Sequence, residues 1–241
     1  MTGACLPFVT DVRAALAAAA DPAKAAPMQA YMKSAMPFLG VPKPARTAAL
    51  RPVFRSHVLP DRESWEATVR LLWDRAEFRE ERYAATDLAR HRNYAAWSTD
   101  PRSIDLDDHL VVTGAWWDHV DEVAIRLVGP LLRAHPVRID RVVRRWSRDG
   151  DRWRRRAAVI CQVGSRDATD TALLADCIMA NADDPDFFLR KGIGWALREH
   201  AKTDPDWVRA FVATYRGRLS PLSTREATRT LPPHHDARVP E

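Results

Sequence analysis

Asp121, Arg156 and Lys191 stand 35 residues apart in turn, and Trp195 follows Lys191 by four. No other feature constrains the fold as tightly. A period of that length marks stacked helix pairs, in which equivalent positions of successive repeats line one continuous surface. Asp121, Arg156 and Lys191 are then expected side by side on one wall.

The rest of the chain is consistent with that period. Ala, Leu, Arg and Glu dominate, and no β-branched alternation of useful length occurs, so nearly every segment reads as helix. A first helix is expected after Thr10-Asp11 and a second over 28–34. The stretch 36–44 holds Pro37, Gly40 and Pro42 with the apolar Phe38, Leu39 and Val41, the signature of an ordered, packed loop. A helix resumes near Ala45 and carries Arg46, Arg51 and Arg55 to one edge. From residue 61 the pattern becomes paired helices: 61–74 with 77–92, two halves of 106–134 broken at Thr113-Gly114, 137–147 with 153–163, and 171–180 with 186–201. Asp204 caps one more helix with Pro205 in its first turn. Ser223 and Glu226 read as a capping box for the last one. Residues 232–241 read as a loose tail beyond a single domain spanning 1–231.

The second helices resemble one another: Arg82-Tyr83-Ala84, Arg155-Arg156-Ala157 and Arg190-Lys191-Gly192 each follow an aromatic, Phe78, Trp153 or Phe187. The aromatics are expected in the core, and the basic residues are expected to form a stripe. A curved array of helix pairs with such a stripe makes a groove for a rod-like polyanion, and duplex DNA fits that description. The stretch 115–121 adds Trp116, Trp117, Asp118 and Asp121. On a helix Trp117 and Asp121 share a face, placing an aromatic surface beside a fixed negative charge, which suits a cationic ligand. The blander alternative is that the tryptophans are core and the carboxylate is solvated.

Composition sets the limits. At 46% hydrophobic and 29% charged, the chain of 241 residues is that of a soluble globular protein. No run of 18 apolar residues exists and the start lacks a basic leader, so neither a membrane span nor a signal peptide is expected. Cys5, Cys161 and Cys177 share no CxxC spacing and read as reduced thiols in a cytoplasmic protein. The eight histidines show no metal-ligand spacing, and no metal or other cofactor is expected. A net charge of +5 permits a polyanionic partner.

The motifs Tyr31-Met32-Lys33, Pro37-Phe38-Leu39-Gly40-Val41, Trp116-Trp117-Asp118-His119-Val120-Asp121, Trp153-Arg154-Arg155-Arg156, Ile193-Gly194-Trp195-Ala196-Leu197-Arg198-Glu199 and Leu222-Ser223-Thr224-Arg225-Glu226-Ala227 run through nearly the whole chain. In this order and spacing the chain resembles the DNA alkylation repair glycosylases built from HEAT-like repeats, the AlkD type. The resemblance implies an all-α, single-domain α-solenoid of antiparallel HEAT-like helix pairs with a concave DNA-binding groove. It implies a monomeric, nucleoid-associated enzyme that excises N3- and N7-alkylated purines, such as 3-methyladenine and 7-methylguanine, from double-stranded DNA. Asp121 is then the catalytic carboxylate, with Trp117 and Trp195 as the aromatic walls of its cleft. Arg156 holds a backbone phosphate and Tyr31 touches the DNA nearby. Arg190, Lys191, Lys43, Arg46 and Arg51 complete the expected DNA contacts. His119 departs from the family pattern, which has a small hydroxyl residue there.

The chemistry agrees. Alkylation at N3 or N7 makes the base a cationic leaving group, so one carboxylate suffices to stabilise the developing oxocarbenium ion. Two alternatives stand beside the enzyme: a non-catalytic DNA-structure binder on the same scaffold, and a helical protein-binding scaffold.

Overall fold

The structure, a computed structural model, describes residues 3–231; the tail expected over 232–241 lies outside the described residues. Among the described residues there are helices and no strand, so the all-α class read from the absence of alternation holds. The chain divides into two compact units, Met1–Leu106 and Asp107–Glu241, where a single domain was expected over 1–231.

The first unit holds α1 (Leu6–Ala18), α2 (Pro22–Met32), α3 (Lys43–Ser56), α4 (Arg62–Asp74), α5 (Arg79–Ala89) and the short α6 (Ala95–Ser98). Helix α1 starts earlier than the expected Thr10-Asp11 because Pro7 presets the first turn. Helix α2 likewise starts early, at Pro22, where the Asp21 side chain accepts the Ala23 N–H at 3.1 Å. Trp65, Val69, Leu72 and Trp73 of α4 are buried, as their helical spacing predicts.

The loop between α2 and α3 is packed, as its prolines and apolar side chains suggested. The fully buried Glu80 of α5 accepts the N–H groups of Leu39, Gly40 and Val41 at 3.0, 2.9 and 3.0 Å. Gly40 has φ +81°, and a Cβ there would stand 2.1 Å from the Asp21 carbonyl oxygen. Only glycine meets both conditions. The loop is thereby clamped to α5 at one end and to the start of α2 at the other.

The second unit takes most of α7 (Ile104–Gly114), then α8 (Trp117–Val123), a π-helical stretch (Ala124–Val128), α9 (Gly129–Ala134), α10 (Pro136–Trp146), α11 (Arg152–Ile160), α12 (Thr171–Met179), α13 (Phe187–His200), α14 (Pro205–Thr214) and α15 (Pro221–Thr228). Aspartates open most of the later helices. Asp151, Asp170, Asp186 and Asp204 each accept first-turn N–H groups, contributing about 1 kcal/mol apiece. The last helix departs from the sequence reading: its cap is Ser220, which accepts the Ser223 N–H at 3.0 Å, with Pro221 in the first turn. Glu226 is therefore released from capping.

Helices α8, α11, α13 and α15 pack each on the next, while α10 packs on α12 and on α11. This order turns the 35-residue period into a physical column. Close approach within it is permitted by glycine. A Cβ on Gly129 would lie 2.4 Å from the Cys161 carbonyl oxygen at the end of α11, and one on Gly194 would lie 2.4 Å from Glu226 Cβ on α15. The π-helical stretch precedes Pro130, which has no N–H to return to the preceding turn; the Gly129 N–H reaches back to the Ala124 carbonyl.

Candidate active site

The start of α8 is set by its neighbours more than by a cap. Ala115 adopts a left-handed φ of 43° and Trp116 is extended, which turns the chain out of α7. Trp116 then packs against Trp153 of α11 and Phe188 of α13, with ring centroids 6.0 and 5.4 Å away. Trp153 and Phe188 meet each other at 5.1 Å. Three helices are thus pinned at their first turns by one aromatic cluster. Of the tryptophan pair, Trp116 serves the packing, and Trp117 is half-exposed one turn before Asp121.

One turn into α8 and α11 the charged groups meet. Asp121 accepts from Arg156 Nε on Oδ1 and from Arg156 Nη2 on Oδ2, both at 2.7 Å. The two side chains are 15% and 6% exposed. Arg156 Nη1 donates to the Phe188 carbonyl at the start of α13. Gly192 makes room for it, since a Cβ there would come within 3.1 Å of Nη1. Trp195 lies one turn beyond Gly192 and is half-exposed.

Burial is the largest influence on the Asp121 carboxyl and pushes its pKa above the ordinary value of 3.8. The guanidinium pulls the other way. Proton binding to Asp121 would leave Arg156 charged and uncompensated in the interior, so the pair stays ionised at neutral pH. The arrangement fixes a desolvated carboxylate in one orientation, with part of its lone-pair capacity still unused.

The basic residues expected to form a stripe are engaged with neighbouring groups in the fold. Arg156 is buried and paired. Lys191 donates to Glu226 at 2.8 Å, and Arg198 donates to the other oxygen of Glu226. Glu226 stands 35 residues beyond Lys191, completing the sequence Asp121, Arg156, Lys191, Glu226 at one period. Arg190 donates to the Asp184 carbonyl at 3.0 Å. Of the aromatics expected in the core, Trp153 is buried but Phe187 is 57% exposed, and Phe188 takes the packing position. His119 is 1% exposed on α8, two residues from Asp121 and so away from its face.

In the first unit Tyr31 is 75% exposed on α2, and Lys43 and Arg51 are exposed on α3. Arg46 is the exception to the expected basic edge. It is buried, donates to Asp87 at 2.9 Å, and lies 4.9 Å over the Tyr83 ring. Its guanidinium is thus engaged within the first unit.

The fold and the paired carboxylate define an all-helical protein with a desolvated acid on one helix of a packed column. The chain belongs to the DNA alkylation repair enzyme family, whose model matches residues 12–231. Among solved structures it is similar to a predicted DNA alkylation repair enzyme from Enterococcus faecalis, at 29% identity and a TM-score of 0.79, over 89% of this chain and 98% of that one. The search of curated proteins gives no match. No helix among the described residues is long and apolar enough to cross a membrane.

Proposed function

We propose that this protein hydrolyses the N-glycosidic bond of cationic N3- and N7-alkylated purines in double-stranded DNA. The observation that carries the proposal is the Asp121 carboxylate, desolvated yet held ionised by a two-point guanidinium contact. In the reaction the bond from C1′ to the purine nitrogen breaks and its electron pair leaves with the base, which becomes neutral. Positive charge develops on the sugar, where Asp121 stabilises it in a medium that screens weakly. Water then adds to C1′ and releases a proton. No acid need protonate the leaving group, because alkylation has already made it a cation.

Trp117 and Trp195 flank the reacting nucleoside in this reading and favour its charge through their ring faces. Tyr31, Lys43, Arg190 and Lys191 contact the sugar-phosphate backbone without reading sequence. Arg156 keeps two unused N–H groups for a phosphate while it orients Asp121. The occupation of both Asp121 oxygens by Arg156 is the observation that favours the rival reading, a non-catalytic DNA-structure binder. Incubation with N7-methylated duplex DNA separates the two. Release of 7-methylguanine by the wild type, lost in Asp121→Asn, supports the enzyme. Tight binding without release overturns it.

A further inference from the structure

A second feature lies in the first unit. A cleft of about 590 Å³ is lined by Arg51, Phe54 and Arg55 of α3 and by Arg90, His91 and Arg92 at the end of α5. That volume suits a small ligand. Its one carboxylate, Asp87, is engaged by Arg46 and Arg90 at 2.9 and 2.8 Å. Arg51, Arg55 and Arg92 are exposed and form no ion pair among the described residues. The cleft therefore carries an uncompensated positive charge. Two aromatic rings are among its lining: Phe54 and His91 meet edge to face with centroids 5.3 Å apart, and both are half-buried.

We propose that this cleft is a binding site for one nucleoside monophosphate unit, with the phosphate on Arg51, Arg55 and Arg92 and the base against one of the two rings, Phe54 or His91. Arginine forks match phosphate oxygens, and ring faces accept any base. His91 reports the field of the site. Its Nδ1 faces the Asn93 N–H at 3.4 Å. Burial and the charges of Arg92 and Arg90 lower its pKa below the ordinary 6.5. An acidic peptide would satisfy the arginines but leave the two rings bare. The site does not depend on the excision chemistry, because all of its residues belong to the first unit.

The unit has two sources, a free nucleotide or the single-stranded end of a nucleic acid, and one experiment separates them. The full chain is titrated with dAMP, with inorganic phosphate, with an aspartate-rich peptide, and with duplex DNA carrying or lacking a three-nucleotide overhang. Binding is read by calorimetry and by the His91 NMR resonance. The stacked base should make dAMP bind roughly ten-fold more tightly than phosphate, and the His91 pKa should rise on binding. Arg55→Ala combined with Arg92→Ala, both exposed positions, should weaken dAMP ten-fold or more without moving the unfolding temperature. A preference for overhanging over blunt duplex, lost in the same variant, identifies a strand end as the source. Its absence, with dAMP still bound, identifies the free nucleotide. The proposal falls if dAMP binds no better than phosphate, if the peptide matches dAMP, or if the double variant binds unchanged.

Discussion

Asp121 and Arg156 hold each other through both carboxylate oxygens, at one period of separation and nearly out of contact with water. Neither group can be altered without stranding the other. Asp121→Asn is expected to leave Arg156 as a buried, uncompensated charge and to lower stability by about 3 kcal/mol. Arg156→Gln should cost a similar amount, and the double variant less than the sum. Denaturant unfolding of the four proteins checks this; additivity would mean that the pair opens in solution.

The acid limb of excision should lie above the ordinary aspartate range. In the proposed reaction, as pH falls through the raised value, Asp121 takes a proton, the charge that would stabilise the sugar cation is lost, and the rate should fall. Arg156→Gln removes the main opposing influence, so the limb should move further up. Single-turnover rates across pH read both shifts; a limb unmoved by the substitution would detach Asp121 from the observed titration.

Glu226 behaves in the opposite sense. Its hydrogen bonds from Lys191 and Arg198 lower its pKa below 4.5. It therefore contributes stability that is fully present above that ordinary value and is lost as pH falls through the lower, folded-state one. Glu226→Gln should flatten the loss of stability on acidification below pH 4.5. Unchanged acid unfolding in the variant would make the contact energetically idle.

Ala115 occupies a left-handed backbone where glycine is at ease. Ala115→Gly is expected to stabilise the fold by about 0.5–1 kcal/mol. Thermal unfolding shows it. A loss would mean that the Ala115 methyl packs more tightly than its exposed position implies.

Gly194→Ala should do the reverse. The added carbon would meet the Ser223 backbone oxygen at 2.9 Å as well as Glu226 Cβ. Pushing α15 off α13 is expected to cost about 1–3 kcal/mol. Amide exchange should quicken first in α15; uniform protection would sink the idea.

Much of this was legible in the chain itself. Helical spacing placed Trp65, Leu72 and Trp73 in the core, and the 35-residue period put Asp121 and Arg156 on adjoining helices. What the period could not say is whether two opposite charges in register face water or each other. Spacing carries no burial, so the two-point pairing of Arg156 with Asp121 was not legible beside its expected phosphate contact. Glu226 was legible one step past Lys191, but Ser223 three residues before it offered a capping box, a local pattern that masked the long-range one. Phe187 and Phe188 were indistinguishable by type, and only the packing with Trp116 selects between them. Arg46 was misplaced because an arginine on a helix edge gives no sign of an aspartate 41 residues away.

The glycine at 129 carries a last consequence. With its Cα set against the Cys161 carbonyl, the chain has no slack where α9 passes the end of α11. Any larger residue there would act as a wedge, prising apart two neighbouring rungs below the level at which Asp121 meets Arg156. The alignment of the acid with its partner is thus governed by a residue without a side chain, eight positions downstream. A substitution at that spot would be felt in the packing of α9 on the end of α11 and, through α11, in the setting of Arg156.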